Sequence, residues 1–336
     1  MARYSTLVIS LTAAIGFVTF YEPPPDLSAV PFESSASGGT VVEPVPDVEP
    51  SSNAFGYSGA VQMRFALPGD AVEYPLQVHG DPTALHYVWQ RLSDSAEVGI
   101  PIRLVSDTLT APQMPGFYRL VLVRDGFHRV VDGLTVAVLV PFNEKHGPTL
   151  DGYRIGTFPG ERHHADGLPE GFVKIMPNVE DLAITKHLRL ADFLTRDGQT
   201  TWPRFAAVDP KVLDKLELVV ERIAGMRRHR SAADTGNVQV LLNVHSAFRT
   251  PLYNRHVARA AHDSRHQYGD AVDVAIDADG DGRLTARDTR LVAQAVDSVE
   301  AEHPDLVGGM GVYTGHAYRH PYVHIDARGE RVRWRG

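Results

Sequence analysis

The sequence predicts a multi-domain, β-rich protein in which an all-β sandwich precedes an α+β domain. Its 336 residues suffice for two domains, and its 43% apolar and 22% charged residues are typical of globular proteins. Residues 54–142 contain short alternating apolar runs separated by Gly, Pro and Asp, a pattern typical of antiparallel strands. Residues 201–336 combine segments of helical periodicity with short β-type runs, which indicates an α+β domain.

The first 53 residues precede the predicted sandwich. Arg3 gives a positive start, and the apolar run over 7–21 suits a signal peptide better than a spanning helix, which needs about 20 residues. No Ala-x-Ala site follows, so a cleaved signal peptide and an uncleaved signal-anchor, with possible membrane anchoring, both remain open for residues 1–21. Residues 22–53, rich in Pro, Ser, Glu and Val, predict an extended linker. Either alternative predicts an extracytoplasmic protein, periplasmic or secreted.

Charge and cysteine content exclude several classes of function. A formal net charge of −8 argues against nucleic acid as a partner. The chain has no cysteine, which excludes disulfides, thiolate zinc sites and a lipid anchor on cysteine.

Within residues 54–142, Trp89 lies on a predicted middle strand, and Gly116-Phe117-Tyr118 opens a late one. These features resemble an immunoglobulin-like core, a likeness that concerns the fold and carries no function. Residues 143–200 predict a connecting segment.

In the region 201–336, Asp209-Pro210 is a helix start signal, and apolar spacing predicts a helix over 210–226. Further helices are predicted over 251–262 and 285–303. Strands are predicted over 238–244, 270–276, 310–313 and 322–326.

The most informative stretch is residues 264–273, Ser-Arg-His-Gln-Tyr-Gly-Asp-Ala-Val-Asp. Asp273 places a carboxylate within an apolar strand, and burial of this charge is costly unless a positive group pairs with it. A metal ion bound by both Asp273 and His266 would provide the positive charge, and imidazole and carboxylate ligands suit zinc. His324 on a later strand offers a third ligand, which would leave a coordination position for water.

Several motifs in the last part of the chain resemble those of the M15 metallopeptidases. The pattern Ser264-x-His-x-x-Gly-x-Ala-x-Asp273 followed by a strand histidine is similar to the family's metal motif, and residues 246–254 are similar to its Ser-x-x-Arg-x-Pro-x-x-Asn signature. Gly-Gly-Met-Gly-Val-Tyr at 308–313 and the closing Arg333-Trp334 resemble its murein-endopeptidase branch. The family includes D-Ala-D-Ala carboxypeptidases, peptidoglycan endopeptidases and hedgehog-type domains.

The resemblance implies a hedgehog/D-Ala-D-Ala-peptidase-like zinc domain with His266, Asp273 and His324 as ligands. It implies that Arg249, with Ser246, binds substrate, where Arg249 grips a carboxylate or polarises the scissile carbonyl. Many family members carry an acid three residues before the last histidine ligand, and this chain has Pro321 there.

Two residues remain candidates for the general base. Asp326 lies on the same side of a strand as His324, and could act as base or orient that ligand. His320 shares that face, and histidine is the residue type that most often acts as a general base.

The sequence thus predicts a zinc metallopeptidase that hydrolyses peptidoglycan stem peptides or cross-links, as an endopeptidase or a D,D-carboxypeptidase. The alternative is a metal-stabilised, catalytically inactive cell-wall-binding module. A third hypothesis places the main role in the sandwich, through a docked partner.

A second motif lies directly after the metal strand. Residues 277–288 resemble an EF-hand calcium loop, as in dockerin-like sequences, with Gly282 at the sharp turn. The predicted ligands of a structural calcium ion are Asp277, Asp279, Asp281, Arg283 through its carbonyl, Thr285 and Asp288. The alternative is an acidic surface turn.

Overall fold

The computed structural model describes residues 45, 47–51, 55–79, 83–106, 108–162, 167–230, 240–315 and 320–336. The chain divides into two compact units, 1–42 and 43–336, and every described residue belongs to the second. The predicted signal or anchor segment, 1–21, lies outside the described residues, as does most of the predicted linker. Asp47–Pro50, inside the predicted linker, forms a strand that pairs with Leu76–His79.

The described chain is a β-rich, multi-sheet structure with few helices, as the composition of the runs predicted. Its strands are β1 (Asp47–Pro50), β2 (Met63–Ala66), β3 (Ala71–Glu73), β4 (Leu76–His79), β5 (His86–Arg91), β6 (Glu97–Arg103), β7 (Thr108–Thr110), β8 (Gly116–Arg124), β9 (Phe127–Val130), β10 (Thr135–Val138), β11 (Val140–Pro141), β12 (Thr149–Leu150), β13 (Tyr153–Arg154), β14 (Gly171–Ile175), β15 (Arg204–Ala206), β16 (Leu242–Ser246), β17 (Ala271–Ile276), β18 (Gly309–Tyr313), β19 (Tyr322–Asp326) and β20 (Val332–Arg335). The α-helices are α1 (Pro210–Arg230), α2 (Pro251–Asn254) and α3 (Ala286–Glu302). Among the described residues, no helix is both long and apolar enough to cross a membrane.

The N-terminal strands build one large sheet and two small ones. The large sheet runs β2-β10-β8-β5-β6, with β9 on β8, and β1-β4 and β3-β7 form separate pairs. Many of their apolar side chains form one buried cluster with Tyr74, and Trp89 on β5 belongs to it. The indole Nε1–H of Trp89 donates to the Thr110 carbonyl at 2.8 Å, so the buried polar atom of this ring is satisfied.

A five-stranded sheet in the order β16-β17-β19-β18-β20 carries the C-terminal motifs. All neighbouring strands in it are antiparallel except β18 and β20, which are parallel. Since side chains alternate across a strand, one face carries Val272, Val274, Val323 and Ile325, which are all buried. The opposite face carries the polar residues of the motifs, and we call it the site face.

Helices α1 and α3 belong to the same core as the apolar face of this sheet. Val212, Leu216 and Val219 of α1 follow the predicted helical spacing and are fully buried. The same cluster reaches Met63 and Leu139 near the N-terminal strands. The core is therefore continuous from the N-terminal strands to the five-stranded sheet.

One predicted helix was wrong in extent. The segment predicted as helical over 251–262 is an α-helix only from Pro251 to Asn254. The Thr250 hydroxyl caps its start, but the Asn254 side-chain amide donates to the Ala261 carbonyl at 2.9 Å, and Arg259 has a φ of 62°. A left-handed residue ends any continuous helix, so the chain turns back here.

Candidate metal centre

The metal residues predicted from sequence are brought together by the register of the five-stranded sheet. Ser246 of β16 pairs with Asp273 of β17, Asp273 with His324 of β19, His324 with Gly311 of β18, and Gly311 with Trp334 of β20. These positions form one row across the site face, because directly paired residues point to the same side of a sheet. His266 reaches the row from the short 3₁₀ helix Arg265–Tyr268, directly before β17.

Three ligand atoms converge at this row. His266 Nε2 lies 3.1 Å from His324 Nδ1 and 3.2 Å from Asp273 Oδ1, and His324 Nδ1 lies 2.8 Å from the same oxygen. All three residues are buried. Atoms bound to one tetrahedral zinc at about 2.0–2.2 Å would be roughly 3.3–3.5 Å apart, close to this spacing.

Gly269 allows the turn that delivers His266. It ends the 3₁₀ helix with a φ of 78°, in the left-handed region that favours glycine. A Cβ there would also lie 2.3 Å from the Ala207 carbonyl oxygen. Both the dihedral angle and the close approach require glycine.

The outer nitrogen of each imidazole is held by an acceptor. His266 Nδ1 lies 2.7 Å from the Ala247 carbonyl, and His324 Nε2 lies 3.2 Å from Asp326 Oδ2. Both partners only accept, so each outer nitrogen carries a proton. At this spacing the inner nitrogens and the Asp273 oxygen would repel one another as lone pairs, so a positive charge has to lie between them. A proton between His324 Nδ1 and Asp273 Oδ1 can supply it, and so can a metal ion. The donor set therefore fits zinc.

The oxygens of the Asp326 carboxylate are already used by hydrogen bonds within the protein, so they are not available to a substrate. Besides His324, its carboxylate accepts the Gly309 N–H at 2.6 Å and the Arg328 Nε–H at 2.9 Å. It is fully buried. The hydrogen bonds from His324, Arg328 and Gly309 outweigh burial and hold the pKa of Asp326 far below its usual range. Asp326 was predicted either to act as the general base or to orient His324, and these contacts favour the second role.

Arg249 lies beside the centre and fixes its carboxylate. Its Nη2–H donates to Asp273 Oδ2 at 2.5 Å and its Nε–H to Ser246 Oγ at 2.7 Å. Asp273 Oδ2 is thereby held, which leaves Oδ1 for the metal group. Ser246 and Arg249 are thus in contact, and two of the guanidinium nitrogens already have partners.

Burial and charge act in opposite directions on the titration of the ligands. Burial lowers the pKa of His266. Burial opposes the charge of Asp273 too, but the two imidazoles hold its pKa well below the usual value. Burial also opposes protonation of His324, while hydrogen bonds to Asp273 and Asp326 raise its pKa above the ordinary value. The low pKa of Asp273 and the raised pKa of His324 both show that the site favours a positive charge between these side chains, as a metal centre does.

An aromatic wall closes one side of the centre. The Trp334 ring lies 5.1 Å from the His324 ring, and its Nε1–H donates to the Tyr313 hydroxyl at 2.9 Å. Tyr313 stacks on Tyr322 at 4.4 Å. A Cβ on Gly311 would lie 2.3 Å from the indole Nε1, so glycine in the middle of β18 makes room for this ring.

His320 is exposed and has no hydrogen bond or ion pair with another described residue. Electrostatically it faces His245, whose pKa it helps to lower. The structure therefore does not bring His320 into contact with the three ligands within the part of the chain that it describes.

The predicted calcium loop brings three of its six residues together. Asp277, Asp279 and Asp281 each offer a carboxylate oxygen within 4.8 Å of the others. Asp277 also accepts the Gly282 N–H at 3.0 Å, and Gly282 has a φ of 80°, as a sharp turn requires.

Asp288, the predicted last calcium ligand, is not a member of this group. Its Oδ2 accepts the Thr285 N–H at 2.8 Å, and its Oδ1 accepts the Ala278 N–H at 2.9 Å. Thr285 is the N-cap of α3, and the two side chains form a capping box. The backbone N–H of Arg283 donates to Asp281 Oδ1 at 2.8 Å.

Sequence reasoning missed several residues around the centre. Arg196 and His245 line a cavity that reaches Arg249, but neither belongs to a motif. Lys215 is fully buried in α1, where its Nζ donates to Glu300 Oε1 and to the Asp326 carbonyl, both at 2.7 Å. The burial of Lys215 had one signal in the sequence, because this residue stands next to the apolar positions 212, 213 and 216 of the predicted helix.

No family model matches the chain, and no curated protein matches it. Function therefore has to be inferred from the geometry of the centre and from its motifs.

Proposed function

We propose that the protein is a zinc-dependent peptidase of the M15 type that hydrolyses peptidoglycan stem peptides or their cross-links outside the cytoplasm. In this proposal an immunoglobulin-like sandwich precedes a hedgehog/D-Ala-D-Ala-peptidase-like zinc domain. One observation carries it: His266 Nε2 and Asp273 Oδ1 lie within 4.8 Å of each other and of His324 Nδ1, which is distant in sequence. Three protein ligands leave one coordination position open, as in catalytic rather than structural zinc sites.

The surrounding residues suit that role. When bound, zinc polarises a carbonyl and lowers the pKa of its water toward about 7. The Ala247 carbonyl and Asp326 fix the proton positions and ring orientations of the two histidines. Arg249 holds Asp273, and the guanidinium nitrogen that forms no hydrogen bond with a described residue is available to a substrate carbonyl oxygen.

His320 is the residue that we propose as proton acceptor. Asp326 is buried and already accepts from three groups, so it is proposed as a positioning residue. His320 is exposed and lies four positions before His324, where a substrate and its water would have access.

The test is digestion of cross-linked muropeptides by the purified full chain, with zinc or with a chelator, followed by mass spectrometry. We expect zinc-dependent loss of dimers or release of a terminal residue, abolished in His324→Ala. His256→Ala, an exposed histidine outside the centre, is the matched control and should stay active. Zinc-loaded protein that changes no muropeptide mass would contradict the proposal.

A second candidate is a metal-stabilised cell-wall-binding module without turnover. Two observations favour it: Pro321 stands where many family members have an acid, and Asp326 is fully engaged. Binding to sacculi that requires zinc, together with no product, would support this candidate over the peptidase.

We also propose that the loop 277–288 binds calcium as a structural ion, with Asp277, Asp279 and Asp281 as its first ligands. Calcium should then raise the thermal midpoint of the wild type, but not of Asp277→Asn or Asp281→Asn. An equal effect of calcium on wild type and variants would support the acidic surface turn instead.

A further inference from the structure

A cavity of about 180 Å³ adjoins the metal centre on the side of β16. It shares Ser246 and Arg249 with the surroundings of the centre, and it extends toward the segment after the 3₁₀ helix Leu190–Phe193. Its polar lining residues are Asp192, Arg196, His245, Ser246, Arg249 and Tyr253. Ser246, Arg249 and Tyr253 belong to the motif at 246–254, whereas Arg196 and His245 belong to no motif.

A β-bulge brings His245 to this cavity. The pairing of β16 with β17 shifts between Val244 and Ser246, so His245 and Ser246 both line the same cavity instead of alternating. The His245 ring lies 5.6 Å from that of Tyr322, which is two residues before His324 on the same face. His245 therefore stands beside the metal centre.

The ring nitrogens of His245 are available. The ring is half-buried, and neither nitrogen forms a hydrogen bond with another residue that the structure describes. Burial lowers its pKa; the charge of Asp273 opposes this shift, while His320 and Arg196 add to it. The ring is thus neutral near pH 7, with one N–H to donate.

Arg196 supplies a positive charge. Its Nη2–H donates to the Val244 carbonyl at 3.3 Å, which ties it to the bulged strand, and it forms no ion pair within the described chain. Arg249, by contrast, is committed to Asp273. One acid, Asp192, also lines the cavity. It accepts the Arg189 N–H at 2.8 Å, and burial raises its pKa, while the charges of Arg189 and Arg196 oppose that shift.

We propose that this cavity is a carboxylate subsite, in which Arg196 and His245 bind the free carboxylate of a small residue of the substrate peptide. A guanidinium and a neutral imidazole N–H are suitable donors to a carboxylate. The cavity is smaller than the roughly 300 Å³ at which pockets for whole ligands begin, so it accommodates one small residue. The identity of that residue rests on the proposed function, which makes it a D-amino acid such as D-alanine.

The experiment compares N-acetyl-D-alanine with its amide as ligands of the full chain, by ligand-observed NMR. It is run on zinc-free protein, so that direct coordination of the carboxylate to zinc cannot produce the preference, and repeated with zinc. We expect the acid to bind at least about tenfold more tightly than the amide, because only the acid places a negative charge against the Arg196 guanidinium.

Arg196→Met and His245→Gln should reduce this preference toward one, and Arg196→Lys should restore part of it. Arg119→Met, an exposed arginine on β8, is the matched control and should keep the full preference. Equal binding of acid and amide to the wild type would overturn the inference, as would a preference that survives Arg196→Met. A carboxylate preference in a protein that cleaves no muropeptide would refute the peptidase and leave the subsite standing.

Discussion

If His266, Asp273 and His324 bind zinc as proposed, replacement of Asp326 by alanine should weaken that binding although Asp326 is not a proposed ligand. Its carboxylate accepts from His324 Nε2 at 3.2 Å, from the Gly309 N–H at 2.6 Å and from the Arg328 Nε–H at 2.9 Å. Without it, the outer nitrogen of His324 loses the acceptor that fixes its proton. The imidazole can then turn or change tautomer, so that Nδ1 no longer faces His266 and Asp273.

The structure sets the size of this effect. Loss of an acceptor behind a ligating histidine typically costs about 10–100-fold in metal affinity, or about 1.4–2.7 kcal/mol. Stability should fall as well, by about 3–5 kcal/mol, because Arg328 loses a buried partner. Asp326→Asn preserves the shape and one acceptor, so its effect on zinc affinity should be smaller.

Competition with a chromogenic chelator measures the zinc affinity directly. Asp297→Ala is the matched control, because Asp297 also pairs with two arginines, Arg331 and Arg333, but contacts no metal ligand. It should lose some stability and retain wild-type zinc affinity. Unchanged zinc affinity in both Asp326 variants would refute the role of Asp326 as a positioning residue.

Three further changes test other parts of the structure. Gly311→Ala places a Cβ 2.3 Å from the Trp334 indole and should cost about 1–3 kcal/mol through overpacking, seen as a changed tryptophan fluorescence and a lower denaturation midpoint. Lys215→Met removes one member of a buried ion pair and should cost about 3–5 kcal/mol in denaturant unfolding, whereas Lys211→Met, on the exposed side of α1, should cost little. Burial raises the pKa of Asp270 to about 6 from 3.8, so its contribution to stability is present at low pH and lost as pH rises through 6. The stability of the Asp270→Asn variant relative to the wild type should therefore increase as the pH rises from 4 to 7. Parallel pH profiles of the two proteins would contradict the raised pKa of Asp270.

The convergence of His266, Asp273 and His324 could be predicted because its signals are local. The left-handed turn at Gly269 and a carboxylate in an apolar strand both appear in the sequence, and the register of β17 and β19 then brings Asp273 opposite His324. Helix α1 could be predicted for the same reason, since its apolar spacing is the signal that buries it.

The residues that complete the site depend on tertiary contacts that no local pattern encodes. Arg196 reaches the cavity because the connecting segment packs beside β16, and His245 faces it only because β16 bulges there. The burial of Lys215 depends on Glu300, 85 residues away along the chain. The helix predicted over 251–262 failed because the Asn254 side chain bonds forward to Ala261, a local competition that apolar periodicity does not reveal.

The central claim is that one metal ion is bound by His266, Asp273 and His324. Anomalous diffraction at the zinc edge, from crystals of the full chain grown with zinc, tests it most directly. We predict an anomalous peak within about 2.0–2.2 Å of His266 Nε2, Asp273 Oδ1 and His324 Nδ1. Zinc-loaded crystals with no peak among these three atoms would contradict the claim.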